Sequence, residues 1–270
     1  MMQWFAGLNA VVQTLFATIL TWGLTAAGAA TVFLFREIDR KLREAMKGFA
    51  AGVMIAVSFW SLLAPAMETT SRSSRISWLP AAIGFLAGGC FLFIVDKVLP
   101  HLHAGSPLDQ AEGPGTAWKR SVLLVAATAL HNIPEGIAVG FAFAAAAGGM
   151  PGASVGSAIA LTIGIGIQNF PEGVAVSVPL RREGMRPRRA FWYGQMSGAV
   201  EPVVAVIGAL AVVMIPASAP YALAFAAGAM VFMVVEDIAP EPHEGRNADL
   251  RAAVMLVGFT AMMILDAVLG

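Results

Sequence analysis

The chain has 270 residues, 58% hydrophobic and 13% charged, and its 17 basic residues balance its 17 acidic ones. That composition excludes an ordinary soluble domain, and the absence of a basic run interleaved with aromatics excludes a nucleic-acid-binding surface. The single cysteine, Cys90, excludes an intramolecular disulfide.

Long stretches carry no charge at all, among them residues 1–35, 48–67, 76–95 and 202–235. Roughly 20 apolar residues cross a bilayer as helix, so the pattern predicts an all-α polytopic membrane protein with the lipid bilayer as its solvent. Eight transmembrane helices in one domain fill residues 1–270, at 4–35, 49–70, 76–99, 119–147, 153–180, 190–215, 220–237 and 249–269. The first apolar run has no basic residue before it and is far longer than a signal-peptide core, so it reads as a retained span. It runs into Arg36, Arg40, Lys41, Arg43 and Lys47. A short Ser/Arg turn separates spans two and three, and residues 100–117, rich in Pro, Gly and His, read as a flexible cytoplasmic loop. Gly148-Gly149-Met150-Pro151-Gly152 reads as a tight turn between spans four and five. A second basic loop, Arg181 to Arg189, leads to span six; span seven ends in Glu236-Asp237, and an acidic, His-bearing loop precedes span eight.

With eight spans, loops one, three, five and seven share a side. They and their flanks hold 15 of the 17 Lys and Arg residues, the other side only Arg72 and Arg75. The positive-inside rule places both termini outside the cytoplasm, in a bacterial inner (cell) membrane.

Two near-identical hexapeptides lie deep in spans four and five: His131-Asn132-Ile133-Pro134-Glu135-Gly136 and Gln168-Asn169-Phe170-Pro171-Glu172-Gly173. A carboxylate at mid-membrane costs roughly 2.5–3.5 kcal/mol on insertion scales, so two in matched settings call for a cation as partner. Residues four apart share a helix face, which stacks His131 over Glu135 and Gln168 over Glu172. Pro134, Pro171 and Pro202 have no amide hydrogen, which predicts freed carbonyls at Leu130, Ile167 and Gly198. Glu201-Pro202 on span six repeats the pairing of carboxylate and proline. The combined set of carboxylates, imidazole and amides suits Zn²⁺, Fe²⁺, Mn²⁺ or Co²⁺ and, lacking a thiolate, not Cu⁺.

These motifs, with Ser197 to Pro202 (SGAVEP), resemble the metal-binding helices of the ZIP (Zrt/Irt-like) family of divalent metal transporters, in the bacterial branch where Gln opens the fifth-span motif. The resemblance implies a binuclear centre: one metal on His131, Glu135, Gln168, Glu172 and Glu201, a second on Asn132, Asn169, Glu172 and Glu201. Some relatives have Asp where this chain has Asn169, which implies a weaker or optional second metal. It also implies alternating access, with spans one, four, five and six moving against two, three, seven and eight, in a homodimer.

On span two, Met54, Ser58, Ser61 and Glu68 fall along one helix face, and with Asp266 on span eight they form a candidate entrance. The family holds metal-contacting residues at the positions of Met54, Ser61 and Glu68. At the cytoplasmic side, Asp96, His101 and His103 face Glu236, Asp237, Glu241 and His243 as a candidate exit. The function read from these residues is uptake of a divalent cation toward the cytoplasm. Zn²⁺ stands first, with Fe²⁺, Mn²⁺ and Cd²⁺ able to use the same donors, and the ion is substrate rather than prosthetic group. An intramembrane metal-dependent hydrolase is the alternative. Against it, no HExxH spacing occurs, and seven donors exceed the three ligands and open water site of a catalytic zinc. A metal sensor is a third reading.

Overall fold

The computed structural model describes residues 2–71, 76–102, 108–238 and 248–270. Among them there is no strand, and eight helical segments are long and apolar enough to cross a membrane. A short α1 (Met2–Ala6) precedes α2 (Ala10–Ala30), which Asn9 caps by accepting from the Val12 amide at 3.0 Å. The first span is therefore broken at residues 7–9 instead of running unbroken from 4 to 35.

The second span begins at Arg40, not at 49. Asp39 accepts from the Lys41 and Leu42 amides and caps α3 (Arg40–Ala56), so the basic stretch forms the helix's first turns. This span continues as a π-helical segment over Val57–Leu63 and then α4 (Ala64–Ser71). Span three is α5 (Leu79–Val98), span four α6 (Arg120–Ala147) and span five α7 (Val155–Arg182). Both α6 and α7 run unbroken through their prolines. Span six is split at Gly198-Ala199 into α8 (Pro187–Ser197) and α9 (Val200–Met214). Spans seven and eight are α10 (Ala219–Ile238) and α11 (Ala248–Leu269).

The spans sort into two bundles. One holds α2, α6, α7 and α8–α9, closely paired as α2 with α7 and α6 with α9; the other holds α3–α4, α5, α10 and α11, paired as α3 with α11 and α5 with α10. Glycines allow these pairs to approach at backbone distance. A Cβ on Gly173 would collide with the Thr25 carbonyl, on Gly140 with that of Ala205, on Gly52 with that of Met255 and on Gly88 with that of Phe225. Small residues substitute here for the hydrophobic drive that lipid removes. Between the bundles both kinds of contact occur: Gly156 of α7 meets the Leu269 carbonyl of α11 at backbone distance, while deeper in the span Gly164 of α7 faces the flexible Met262 thioether of α11 and Val57.

Candidate metal centre

All seven donors predicted for the centre lie in the first bundle, on α6, α7 and α9. The helical spacing within each hexapeptide and the shared depth of α6 and α7 bring them together. Asn132, Glu135, Gln168, Asn169 and Glu201 are fully buried. Gln168 Nε2 donates to Glu135 Oε1 at 2.5 Å, joining the two hexapeptides directly. Asn169 Nδ2 donates to Glu201 Oε1 at 2.7 Å and joins α7 to α9. Glu135 stands close enough to Glu172 and Glu201 for the carboxylates to repel one another. Three carboxylates thus converge in one part of the bundle.

The break in span six serves this site, though not as the proline rule predicts. The Gly198 carbonyl is not freed, because it accepts the Glu201 amide at 3.1 Å. The Ser197 carbonyl beside it accepts Asn132 Nδ2 at 2.9 Å instead, tying the first hexapeptide to the kink. Four buried acceptors remain without a hydrogen-bond partner among the described residues: Asn132 Oδ1, Glu135 Oε2, Gln168 Oε1 and Asn169 Oδ1. Each buried unpaired polar atom is destabilising by roughly 1–3 kcal/mol, and four lone-pair donors in one cavity are the chemistry a cation satisfies.

Access to the site is one-sided. His131 and Glu172 are only half-buried, whereas the donors beside them are sealed. His131 lies one turn from Glu135 toward the Arg120 end of α6, and Glu172 one turn from Gln168 toward the Arg182 end of α7. Both ends carry the basic loops. Toward the opposite end, Val139, Phe143, Leu161 and Ile165 are fully buried and close the bundle with hydrocarbon. The largely apolar crevice at that end, between Asn9, Thr69, Met150 and Val212, includes none of the seven donors.

The entrance candidates are only partly assembled. Met54 and Ser61 are buried, and Ser61 Oγ donates to Asp266 Oδ1 at 2.9 Å, linking the π-helical segment to α11. Glu68 is exposed, its Oε2 lying 2.6 Å from where a Cβ on Gly152 would sit. The π-helical segment over Val57–Leu63 lies between Met54 and Glu68 and interrupts the α-helical spacing from which the stripe was expected.

At the basic end, Asp96 and buried His101 come together, with His101 Nε2 2.9 Å from Asp96 Oδ1 and Nδ1 2.8 Å from the Leu99 carbonyl. Glu112, which residue patterning does not single out, joins them: His101 and Glu112 form an antiparallel backbone bridge, and one ligand atom from each of the three residues falls within 4.8 Å of the others. Lys97 Nζ occupies the same neighbourhood, 3.0 Å from Asp96 Oδ2 and 3.5 Å from Glu112 Oε2. Glu236 is half-buried at the end of α10, and the Asp237 side chain is not described. His103, Glu241 and His243 lie outside the described residues.

Sequence reasoning also missed Thr21 on α2, whose hydroxyl donates to Glu201 Oε2 in a very short hydrogen bond. A threonine in an apolar span gives no signal of its own, because it ordinarily bonds back to its own helix.

Eight membrane-spanning helices whose interior gathers buried carboxylates and amides, four of their acceptors without a hydrogen-bond partner among the described residues, define an integral membrane protein with a polar centre. Residues 110–266 match the family model described as "ZIP Zinc transporter". The chain is 39% identical to Zinc transporter ZIP11 of Xenopus tropicalis, over 98% of this chain and 99% of that one. It is 37% identical to Zinc transporter GufA of Myxococcus xanthus, over 95% and 98% of the two chains. It is 34% identical to Zinc transporter ZIPB of Bordetella bronchiseptica, over 91% and 78%. The chain belongs to the ZIP family. Its likeness extends to animal members as well as bacterial ones, and membership makes it a metal-cation transporter, not a hydrolase.

Proposed function

We propose that the chain takes up Zn²⁺ toward the cytoplasm through the cavity formed by His131, Asn132, Glu135, Gln168, Asn169, Glu172 and Glu201. The observation that carries this reading is the set of four buried acceptors without a hydrogen-bond partner among the described residues, in a site that also gathers Glu135, Glu172 and Glu201. An ion with two positive charges and a borderline preference for nitrogen and oxygen meets both demands. Fe²⁺, Mn²⁺ and Cd²⁺ are competing substrates on the same donors.

The Lys/Arg asymmetry puts the basic loops in the cytoplasm and both termini outside. On that orientation the half-exposed His131 and Glu172 give the site a cytoplasmic opening, and the apolar closure lies on the outer side. This conformation is the inward-facing member of an alternating-access pair. In the outward-facing member the first bundle slides against the second, opening a path past Ser61, Asp266 and Glu68; Asp96, His101 and Glu112 then receive the ion as it leaves. A homodimer in a bacterial cell membrane completes the reading.

Purified protein in liposomes, loaded with a metal-sensitive dye and offered Zn²⁺, Fe²⁺, Mn²⁺ or Cd²⁺ at two pH values, tests it. Zn²⁺ flux without any added substrate is expected, reduced at the lower pH because protons compete for His131 and the glutamates. Tight Zn²⁺ binding with no flux would favour the sensor reading.

A further inference from the structure

Thr14, Thr18, Thr21 and Thr25 lie along one side of α2 and are all fully buried. Two of them are satisfied in the way usual for membrane helices. The Thr18 hydroxyl donates to the Thr14 carbonyl at 2.8 Å, and that of Thr25 to the Thr21 carbonyl at 3.4 Å. Thr21 departs from this pattern. Its single hydroxyl proton has two acceptors in reach, the Thr18 carbonyl at 3.1 Å and Glu201 Oε2 on α9 at shorter range. The Glu201 oxygen is the better-placed acceptor, because a hydrogen bond weakens as its length grows. The proton therefore goes to Glu201.

The other carboxylate oxygen is also held. Asn169 Nδ2 donates to Glu201 Oε1 at 2.7 Å and lies 3.4 Å from the Thr21 carbonyl, so Thr21 touches both members of the pair. Glu201 is consequently gripped at both oxygens, by α2 on one side and α7 on the other. The grip is rigid. At Gly173, one turn beyond Asn169, α7 meets the Thr25 carbonyl at backbone distance, and the Thr25 side chain fills the space at Gly198 where span six breaks. Trp22 Nε1 adds a bond to the Gln195 carbonyl at 2.8 Å, fixing α2 against α8. A carboxylate has about four lone-pair sites, and two donors leave half of them for a cation.

We propose that Thr21 is a positioning residue of the metal centre: its hydroxyl, with the Asn169 amide, holds Glu201 in one orientation before the ion arrives. Binding then does not have to order that side chain, and a helix that contributes no metal ligand becomes part of the site. The inference rests on the reading of Glu201 as a ligand.

Proteoliposome Zn²⁺ uptake, fitted for KM and Vmax, separates the two ideas. Thr21→Val keeps the shape and removes the donor. A hydrogen bond to a charged group is worth enough for about a tenfold rise in KM, with Vmax within about twofold. Thr21→Ser restores the hydroxyl and returns KM to within about twofold of the parent. Thr18→Val, which deletes a hydroxyl bonded only to backbone, leaves KM unchanged and controls for packing on the same face. If Thr21→Val is poorly produced, Thr21→Ala carries the same expectation. A Thr21→Val KM equal to the parent's, a Thr21→Ser KM as high as that of Thr21→Val, or an equal loss in Thr18→Val would each overturn the proposal. Glu201→Ala run alongside marks where a failure lies. An inactive Glu201→Ala with a normal Thr21→Val removes only the positioning role, whereas a fully active Glu201→Ala removes the ligand assignment beneath it.

Discussion

The two bundles are packed by the same device and filled with different chemistry. In each, glycine lets paired helices meet at backbone distance: α7 on α2 and α6 on α9 in one, α3 on α11 and α5 on α10 in the other. Yet all seven donors, and the threonine that grips one of them, belong to the first bundle. The second presents a wall of Met54, Val57, Met230, Met233 and Met262. Close packing is thus a general solution to holding helices together in lipid, while the polar interior is specific to the part that handles the ion. Unbranched thioethers suit a surface that must repack as its neighbour shifts.

The largest expected effect lies at the ligands. Glu172→Ala and Glu201→Ala each reduce ⁶⁵Zn uptake in cells to background, with protein abundance unchanged, because each removes a proposed bridging ligand while the glycine-mediated contacts that pack the helices stay in place. Parental uptake in either variant breaks the claim that the first bundle alone holds the ion.

Packing comes next. Gly140→Leu in the first bundle and Gly52→Leu in the second drive a side chain into the carbonyls of Ala205 and Met255. Each should cost about 3 kcal/mol or more, read as lost folded yield in detergent and a lowered Tm. Loss in only one of the two would show that the bundles do not share the device.

A smaller effect belongs to the polar contact that the second bundle makes at the entrance, between Ser61 and Asp266. Asp266→Asn weakens the Ser61 contact and raises KM for Zn²⁺ about two- to threefold, leaving Vmax intact. An unchanged KM removes Ser61 and Asp266 from the entrance. The smallest effect is at the boundary between bundles. Gly164→Ala meets the flexible Met262 thioether and should shift Tm by less than about 2 °C. A collapse comparable to Gly140→Leu would mean that this boundary is as rigid as the bundles themselves.

Much of this was legible from residues alone, for stated reasons. A carboxylate inside hydrocarbon is conspicuous, and helical spacing put His131, Glu135, Gln168 and Glu172 on facing surfaces. The helical class followed from the length of the charge-free runs. Boundaries were harder to read: Arg40 to Lys47 looked like a loop because the helix extends past its apolar stretch, and hydropathy cannot see a cap such as Asp39. The π-helical segment was invisible in Val57–Leu63, an apolar run with nothing to mark a change of pitch. Proline chemistry gave no sign of the break in span six and named the wrong carbonyl, because the Glu201 amide closes onto Gly198 and leaves Ser197 for Asn132. Thr21 and Glu112 were missed because their importance comes from partners 180 and 16 positions away, Glu201 and Asp96, which no local pattern reveals.

The central claim is that the first bundle moves as a unit past the second while carrying the ion. Two engineered disulfides on α7, two residues apart, test it most directly in a Cys90→Ala background. Gly164→Cys with Met262→Cys joins the bundles, and Gly166→Cys with Leu24→Cys stays within one; in each pair a Cβ at the glycine would lie 2.6 Å from the partner's side-chain tip, Met262 Sδ or Leu24 Cδ1. Oxidation should stop Zn²⁺ flux through the first variant, with recovery on reduction, and leave flux through the second within about twofold of its reduced value. Unimpeded flux through the cross-linked Gly164/Met262 protein would contradict the account.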